Sequence, residues 1–319
     1  MIEINEIGKK FKTLLKLDKS PLAIYESENL PENAVPMCSL DRCVAKAIFL
    51  TSANDNINSL YINNKSLKGC CPGSITYLGF GKPAKFIKYF VSTGKENFRG
   101  GDAEYLKASP DDVEKFLESI GEIKQIEKNL IIQRCEDVKY DIDDINLKSI
   151  LIFGDAEQIR NLSNLIYFKN ENTFGGISMP FGPSCASFIT YPTGMTEKTP
   201  ENTSFLGPVD PTGNNWFPSD YLSMGIPINI AIELYNDIDE SFISKRPEVA
   251  FPQKWIWIFI FIFFHINFMV IFFHINFFYI KCVFIKYVHI IFRFFKLESK
   301  FFFSLILCYL SVACIIEWP

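Results

Sequence analysis

The chain has 319 residues, a formal net charge of −4 and 48% hydrophobic residues, enough apolar material for one large domain or two ordinary ones. The apolar residues are unevenly spread, because residues 255–319 hold 16 of the 32 phenylalanines and all three histidines. The body, residues 1–254, therefore lacks histidine, which excludes Ser-His-Asp and Cys-His catalysis and histidine-ligated metals, and its 27 Lys/Arg against 34 Asp/Glu give no pull on phosphate backbones, so no nucleic-acid partner is expected.

Met1 to Lys19 is charged and periodic rather than continuously apolar, so no secretory signal is read there and a cytoplasmic body is expected. Ile4, Ile7, Phe11, Leu14 and Leu15 recur at helical spacing with lysines on the other face. Pro21 to Tyr25 reads as a short buried strand. A loop with Pro31 and Pro36 carries Cys38 and leads into Asp41-Arg42-Cys43, where Val44, Ala47, Ile48 and Leu50 predict a helix with Cys43 in its first turn. Ser59 to Ile62 is strand-like and enters the motif Cys70-Cys71-Pro72-Gly73-Ser74. Proline is favoured at a first helical position, and a thiol at a helix start feels the positive end of the dipole, which favours thiolate.

Phe86 to Val91 suits helix or strand, and Ser92 to Asp102 is a glycine-rich loop. Ser109-Pro110-Asp111-Asp112 starts a helix, with Ser109 as cap and Pro110 at its first position, and Gly121 ends it. Leu130 to Ile132 and Ser149 to Phe153 are strand-like, and Asp155 caps a helix that uses Ile159, Leu162, Leu165 and Ile166. A glycine/proline loop from Phe174 to Pro183 delivers Cys185, again just after a proline turn. Asp210 to Asn215 is a turn, and Ile226 to Tyr235 is predicted helical. Strands and helices alternate without a βαβ repeat, so the fold expected is α+β, a mixed sheet with helices, followed by a hydrophobic C-terminal tail.

Certain ordered pieces of the body resemble a known family, the domain of unknown function numbered 169. They are Pro21 to Ile24, Arg42 to Ala47, Cys71-Pro72-Gly73 through Leu78-Gly79, Phe153 to Ile159, Pro180 to Cys185, and Asp239 to Phe242, spanning about residues 20–247. The resemblance implies a shared fold and no agreed activity. Cys38, Cys70 and Cys135 stand outside its pattern.

Two site chemistries follow. Cys43, Cys71 and Cys185 each sit beside a turn or helix start, and three thiolates could hold an iron–sulfur cluster or soft metal ion, or act as redox thiols. Their spacing matches no standard ligand motif, and three thiols packed separately in a core is the competing reading. Alternatively, Arg42, Arg99, Gly100 and Gly101 hold an anionic small molecule, since arginine forks suit carboxylate and phosphate.

In the tail, Trp255 to Ile280 is uncharged and, at 26 residues, long enough to cross a bilayer. A basic segment follows it, and the body's own flank (Lys245, Arg246, Lys254) is basic too, against the positive-inside preference. The hexamer Phe263 to Phe268 recurs as Phe272 to Phe277, and the first run has no glycine, alanine, serine or threonine. The two readings are a membrane anchor, which would tether the body as an interaction protein, and read-through of AT-rich DNA past a natural end near Lys254.

Overall fold

The computed structural model describes residues 2–252 except Lys68, residues 95–100, Thr212 and Asn214. Eight strands make one mixed sheet: β1 (Leu22–Ser27), β2 (Val35–Pro36), β3 (Ser59–Ile62), β4 (Asn129–Arg134), β5 (Asn146–Asp155), β6 (Ile177–Ser178), β7 (Ser204–Gly207) and β8 (Tyr221–Pro227). Their spatial order is β2-β3-β4-β1-β5-β8-β7-β6. The outermost pairs, β2 with β3 and β6 with β7, run parallel, and every inner pair is antiparallel.

The helices are α1 (Ile4–Leu14), α2 (Met37–Leu40), α3 (Val44–Ala53), α4 (Pro72–Tyr77), α5 (Ile87–Val91), α6 (Pro110–Ile120), α7 (Ala156–Ile166), α8 (Ile228–Asp237), α9 (Phe242–Lys245) and α10 (Pro247–Ala250). A π-helical segment, Ala186–Thr190, follows Cys185. The fold is α+β, as the sequence predicts.

Side chains of a strand point alternately to opposite faces, and the central strand β1 uses both. Ala23 and Tyr25 join a core with Ile131, Ile150, Ile152, Met224 and Ile226, covered by α1, α7 and α8. Leu22 and Ile24 join the opposite core with Ile132, Leu151 and Phe153, covered by α3 and the segment from Cys185 to Ile189. Cys43, Cys70 and Cys185 belong to this second face.

Packing and capping share the work unequally. α1 has no side-chain cap, yet buries Ile4, Ile7 and Phe11. Each such side chain contributes about 1.5–3 kcal/mol, more than the ~1 kcal/mol of a typical cap. α6 covers less core and is capped as expected, with Ser109 Oγ accepting from Asp112 N at 3.2 Å and Gly121 following its last residue. Ser109→Ala is therefore expected to lower stability by about 1 kcal/mol in urea unfolding. An unchanged midpoint would show that the cap is silent.

Asp155 caps α7 in a reciprocal box with Gln158, also as predicted. Three expectations need correction. Ile226 and Pro227 are strand rather than helix, because Ile150 and Ser149 of β5 pair with them and the helix waits until Ile228. Cys43 is the N-cap of α3 rather than a residue of its first turn. β6 and β7, at the far edge of the sheet, were not foreseen. Phe86 to Val91 resolves to a helix from Ile87.

The tail, with its 255–280 run, lies outside the described residues. Among the described residues, no helix is long and apolar enough to cross a membrane.

Candidate functional site

Three distant parts of the chain bring the pattern cysteines together. Cys43 is placed by Asp41, whose Oδ1 accepts the Cys43 N–H at 2.8 Å while its other oxygen pairs with Lys46 Nζ at 2.8 Å. That turn sets the start of α3. Cys71 is the N-cap of α4, with Pro72 at the first helical position, and its sulfur accepts from Ser74 N at 3.4 Å. Cys185 ends a loop in which Gly182 has a positive φ of 146°, a conformation that side chains rarely adopt. That loop packs on α4, since a Cβ on Gly73 would meet Pro183 at 3.6 Å. Thr190 Oγ1 ties the following π-helical segment to α4 by donating to Tyr77 O at 2.6 Å.

Ser74 is the meeting point. Its fully buried hydroxyl lies 3.2 Å from Cys71 Sγ and 3.2 Å from Cys185 Sγ. The two sulfurs, 114 residues apart in sequence, are thus no farther apart than those two contacts laid end to end. Cys43 stands close enough for a charge on Cys71 to raise its pKa, and both Cys43 and Cys71 act on Cys185 in the same way. Cys185 is buried, Cys43 is half-buried and Cys71 is exposed, so the cluster steps from core to solvent.

At Cys43 and Cys185 the surroundings oppose a thiolate. Burial pushes the Cys43 thiol up, and the N–H groups of Lys46 and Ala45 offset only part of that. Burial pushes Cys185 up as well, reinforced by the neighbouring Cys71 and opposed by Ser74 and the Ala45 N–H. Desolvation disfavours the charged form, and at these two sulfurs it outweighs the helix start. The amide of Ala45 thus bears on two sulfurs, one from its own helix and one from the π-helical loop.

Cys70 joins the edge of the cluster, its thiol pushed up to about 12 by burial and then by the charges of Cys71, Cys38 and Cys43. Cys135 is elsewhere, in the opposite core against Gly8. All six cysteines among the described residues are free thiols. Among the described residues, no three His, Cys, Asp or Glu side chains are drawn close enough to share a metal ion as they stand.

Of the anion-binding residues expected from sequence, Arg42 is exposed beside Cys43, and Gly101 is partly buried. Arg99 and Gly100 lie outside the described residues. Ser74 was not predicted, although its position three residues after an N-cap cysteine is where a side chain returns to the cap. Tyr77 was missed too. It is buried against Tyr191, with ring centroids 6.4 Å apart, and its hydroxyl lies near enough for the charge of Cys185 to act on it.

The fold and this cluster define an α+β protein with three cysteines, stepping from core to solvent, on one face of a mixed sheet. The profile of the domain-of-unknown-function family number 169, described as uncharacterised ArCR, matches residues 10–237, and the chain belongs to that family. No curated protein and no solved structure matches it.

Proposed function

We propose that the protein binds a soft metal ion or an iron–sulfur cluster through Cys43, Cys71 and Cys185. The observation that carries this reading is that Cys71 and Cys185 meet at one buried hydroxyl, that of Ser74, with Cys43 near enough for its charge to act on Cys185. The Cys43 and Cys185 thiols, whose ionisation burial disfavours, suit a cation, because a coordinating thiol is deprotonated outright and the metal charge offsets that penalty. Sulfur ligands select soft metals and iron–sulfur clusters. With three protein ligands, a position stays open for a substrate or a fourth donor. A single ion must draw the sulfurs inward, whereas a cluster is wider and spans more of the gap.

The test is anaerobic purification of the full chain, with iron, zinc and sulfide measured per chain. Bound metal is expected, and it binds more tightly as pH rises, because loading releases protons from thiols whose pKa is raised. Replacing any one of the three by serine should cost more affinity than the roughly 10–100-fold lost with an outer-shell partner. Metal-free protein with three freely alkylated thiols sinks the reading.

A further inference from the structure

We propose that the metal-free chain carries out thiol–disulfide exchange, with Cys71 as the entering thiol, Cys185 as the resolving thiol and Ser74 as the hydroxyl that links them; the substrate class is an accessible disulfide. This rests on the reading of these cysteines as one site, and not on what metal that site takes.

The roles follow from geometry. Of the three cluster cysteines Cys71 is the exposed one, so it is placed to meet a disulfide from solution, while Cys185 is 3% exposed. Ser74 Oγ contacts both sulfurs at 3.2 Å but has a single proton, so it donates to one sulfur and accepts from the other. Cys71 Sγ already accepts from Ser74 N. A thiolate at Cys71 therefore receives two hydrogen bonds from Ser74, while Cys185 keeps its proton and donates it to Ser74 Oγ. The reverse assignment would put the charge on the sulfur that has less contact with water.

The exchange balances in two steps. Cys71 thiolate attacks one sulfur of the substrate disulfide, forming a mixed disulfide and expelling the other half as thiolate, which takes up a proton. Cys185 releases its proton by way of the Ser74 hydroxyl and attacks Cys71 Sγ. A Cys71–Cys185 disulfide forms, and the second half leaves as a thiol. Two electrons pass to the substrate, and two protein thiol protons end on its two halves.

The experiment uses the full chain, stripped of metal and reduced, with oxidised glutathione as the probe and mass mapping of the products. One oxidised glutathione should be consumed at this site, leaving an internal Cys71–Cys185 link, with any adduct on the exposed Cys38 mapped separately. Cys185→Ser should stop at a single glutathione on Cys71, and Cys71→Ser should not react at this site. Ser74→Ala should form the mixed disulfide yet resolve it at least roughly tenfold more slowly, with Ser74→Thr restoring the rate. Since Ser74 is fully buried, the time course of alkylation of the wild-type protein at one pH supplies a second readout. Cys71, exposed, is expected to be modified while Cys185, buried, is still protected, and simultaneous modification of both overturns the assignment. A persistent glutathione adduct in wild type, or full-speed resolution in a folded Ser74→Ala variant, also overturns it. Metal content is measured on separate, unstripped protein. A metal-loaded chain that fails to exchange after stripping defeats this inference alone, and a chain that never holds metal yet exchanges defeats only the metal reading.

Discussion

Arg134→Met is expected to lower the unfolding free energy by about 1–3 kcal/mol, the cost of taking one hydrogen-bonded partner from a part-buried carboxylate. Arg134 leaves β4 with its side chain only 8% exposed, and gives Nη2 to Glu136 Oε1 at 2.7 Å. The same oxygen accepts from Lys12 Nζ at 3.1 Å and Ser20 Oγ at 2.6 Å. Burial by itself would raise the Glu136 carboxyl, but hydrogen bonds from Ser20, Arg134 and Lys12 outweigh it and hold it at about 2. Methionine fills the space of the arginine stem yet leaves that carboxylate with a single cation. The second arm, to Asp55 at 2.9 Å, adds little, because the aspartate side chain is 93% exposed. Urea unfolding decides the matter, and a loss below about 1 kcal/mol would mean that water replaces the guanidinium without penalty.

The same carboxylate fixes an acid limit. Its folded pKa is depressed from an ordinary 4.5 to about 2, so its contribution is whole above 4.5 and disappears as pH falls through 2. Asp137 beside it is pushed up by burial, so its protonation opposes a small part of that loss. Stability measured from pH 5 downward should fall, and Glu136→Gln should flatten the slope. The network matters to the site because Ser20 also holds the far end of α3, accepting from Ser52 Oγ at 2.7 Å and donating N–H to Ser52 O at 3.1 Å. Cys43 caps the other end of that helix.

How much of this is legible in the sequence depends on whether a signal is local. Ser109, Asp155 and Gly121 act on backbone within three residues of themselves, so their helix ends could be read directly. The strands around Leu130 and Ile150 announce themselves as apolar runs because both their faces are covered. β7 is only four residues long, and β6 only two, too short to show a period. The pairing of Lys12 with Glu136 crosses 124 residues, and no pattern encodes it. The candidate site was half legible. Cys43, Cys71 and Cys185 stand out by residue type and turn context, but Ser74 looks like an ordinary helix-start serine until Cys185 arrives from 111 residues away. The electrostatics of Cys43 and Cys185 were not legible, because burial, which no sequence pattern shows, outweighs the helix start there.

Gly225→Val is expected to destabilise the protein by roughly 1–3 kcal/mol or more, as an overpacked core does. Gly225 pairs with Leu151 on one side and Phe205 on the other, at the middle of the sheet. A Cβ there would stand 2.5 Å from Ser187 O and 2.8 Å from Pro192 Cγ. The first of these atoms is backbone within the π-helical segment, so no side chain can swing aside to make room. Gly207 on the adjacent strand leaves the same space, since its Cβ would meet Ser187 Oγ at 2.3 Å. These two glycines let the segment behind Cys185 lie flat on the sheet. Forcing it away moves Cys185 relative to α4, to which it is tied through Ser74 and through Thr190. Gly225→Ala, the milder change, should therefore leave a folded protein whose Cys185 reacts faster with maleimide, while Cys71, already exposed, changes little. Gly73→Ala is the contrast, because its Cβ meets nothing nearer than 3.6 Å and alanine favours helix over glycine by about 1 kcal/mol. If Gly225→Ala and Gly73→Ala behave alike, the sheet does not set the position of Cys185, and the closeness of the two sulfurs must be fixed by the α4 contacts alone.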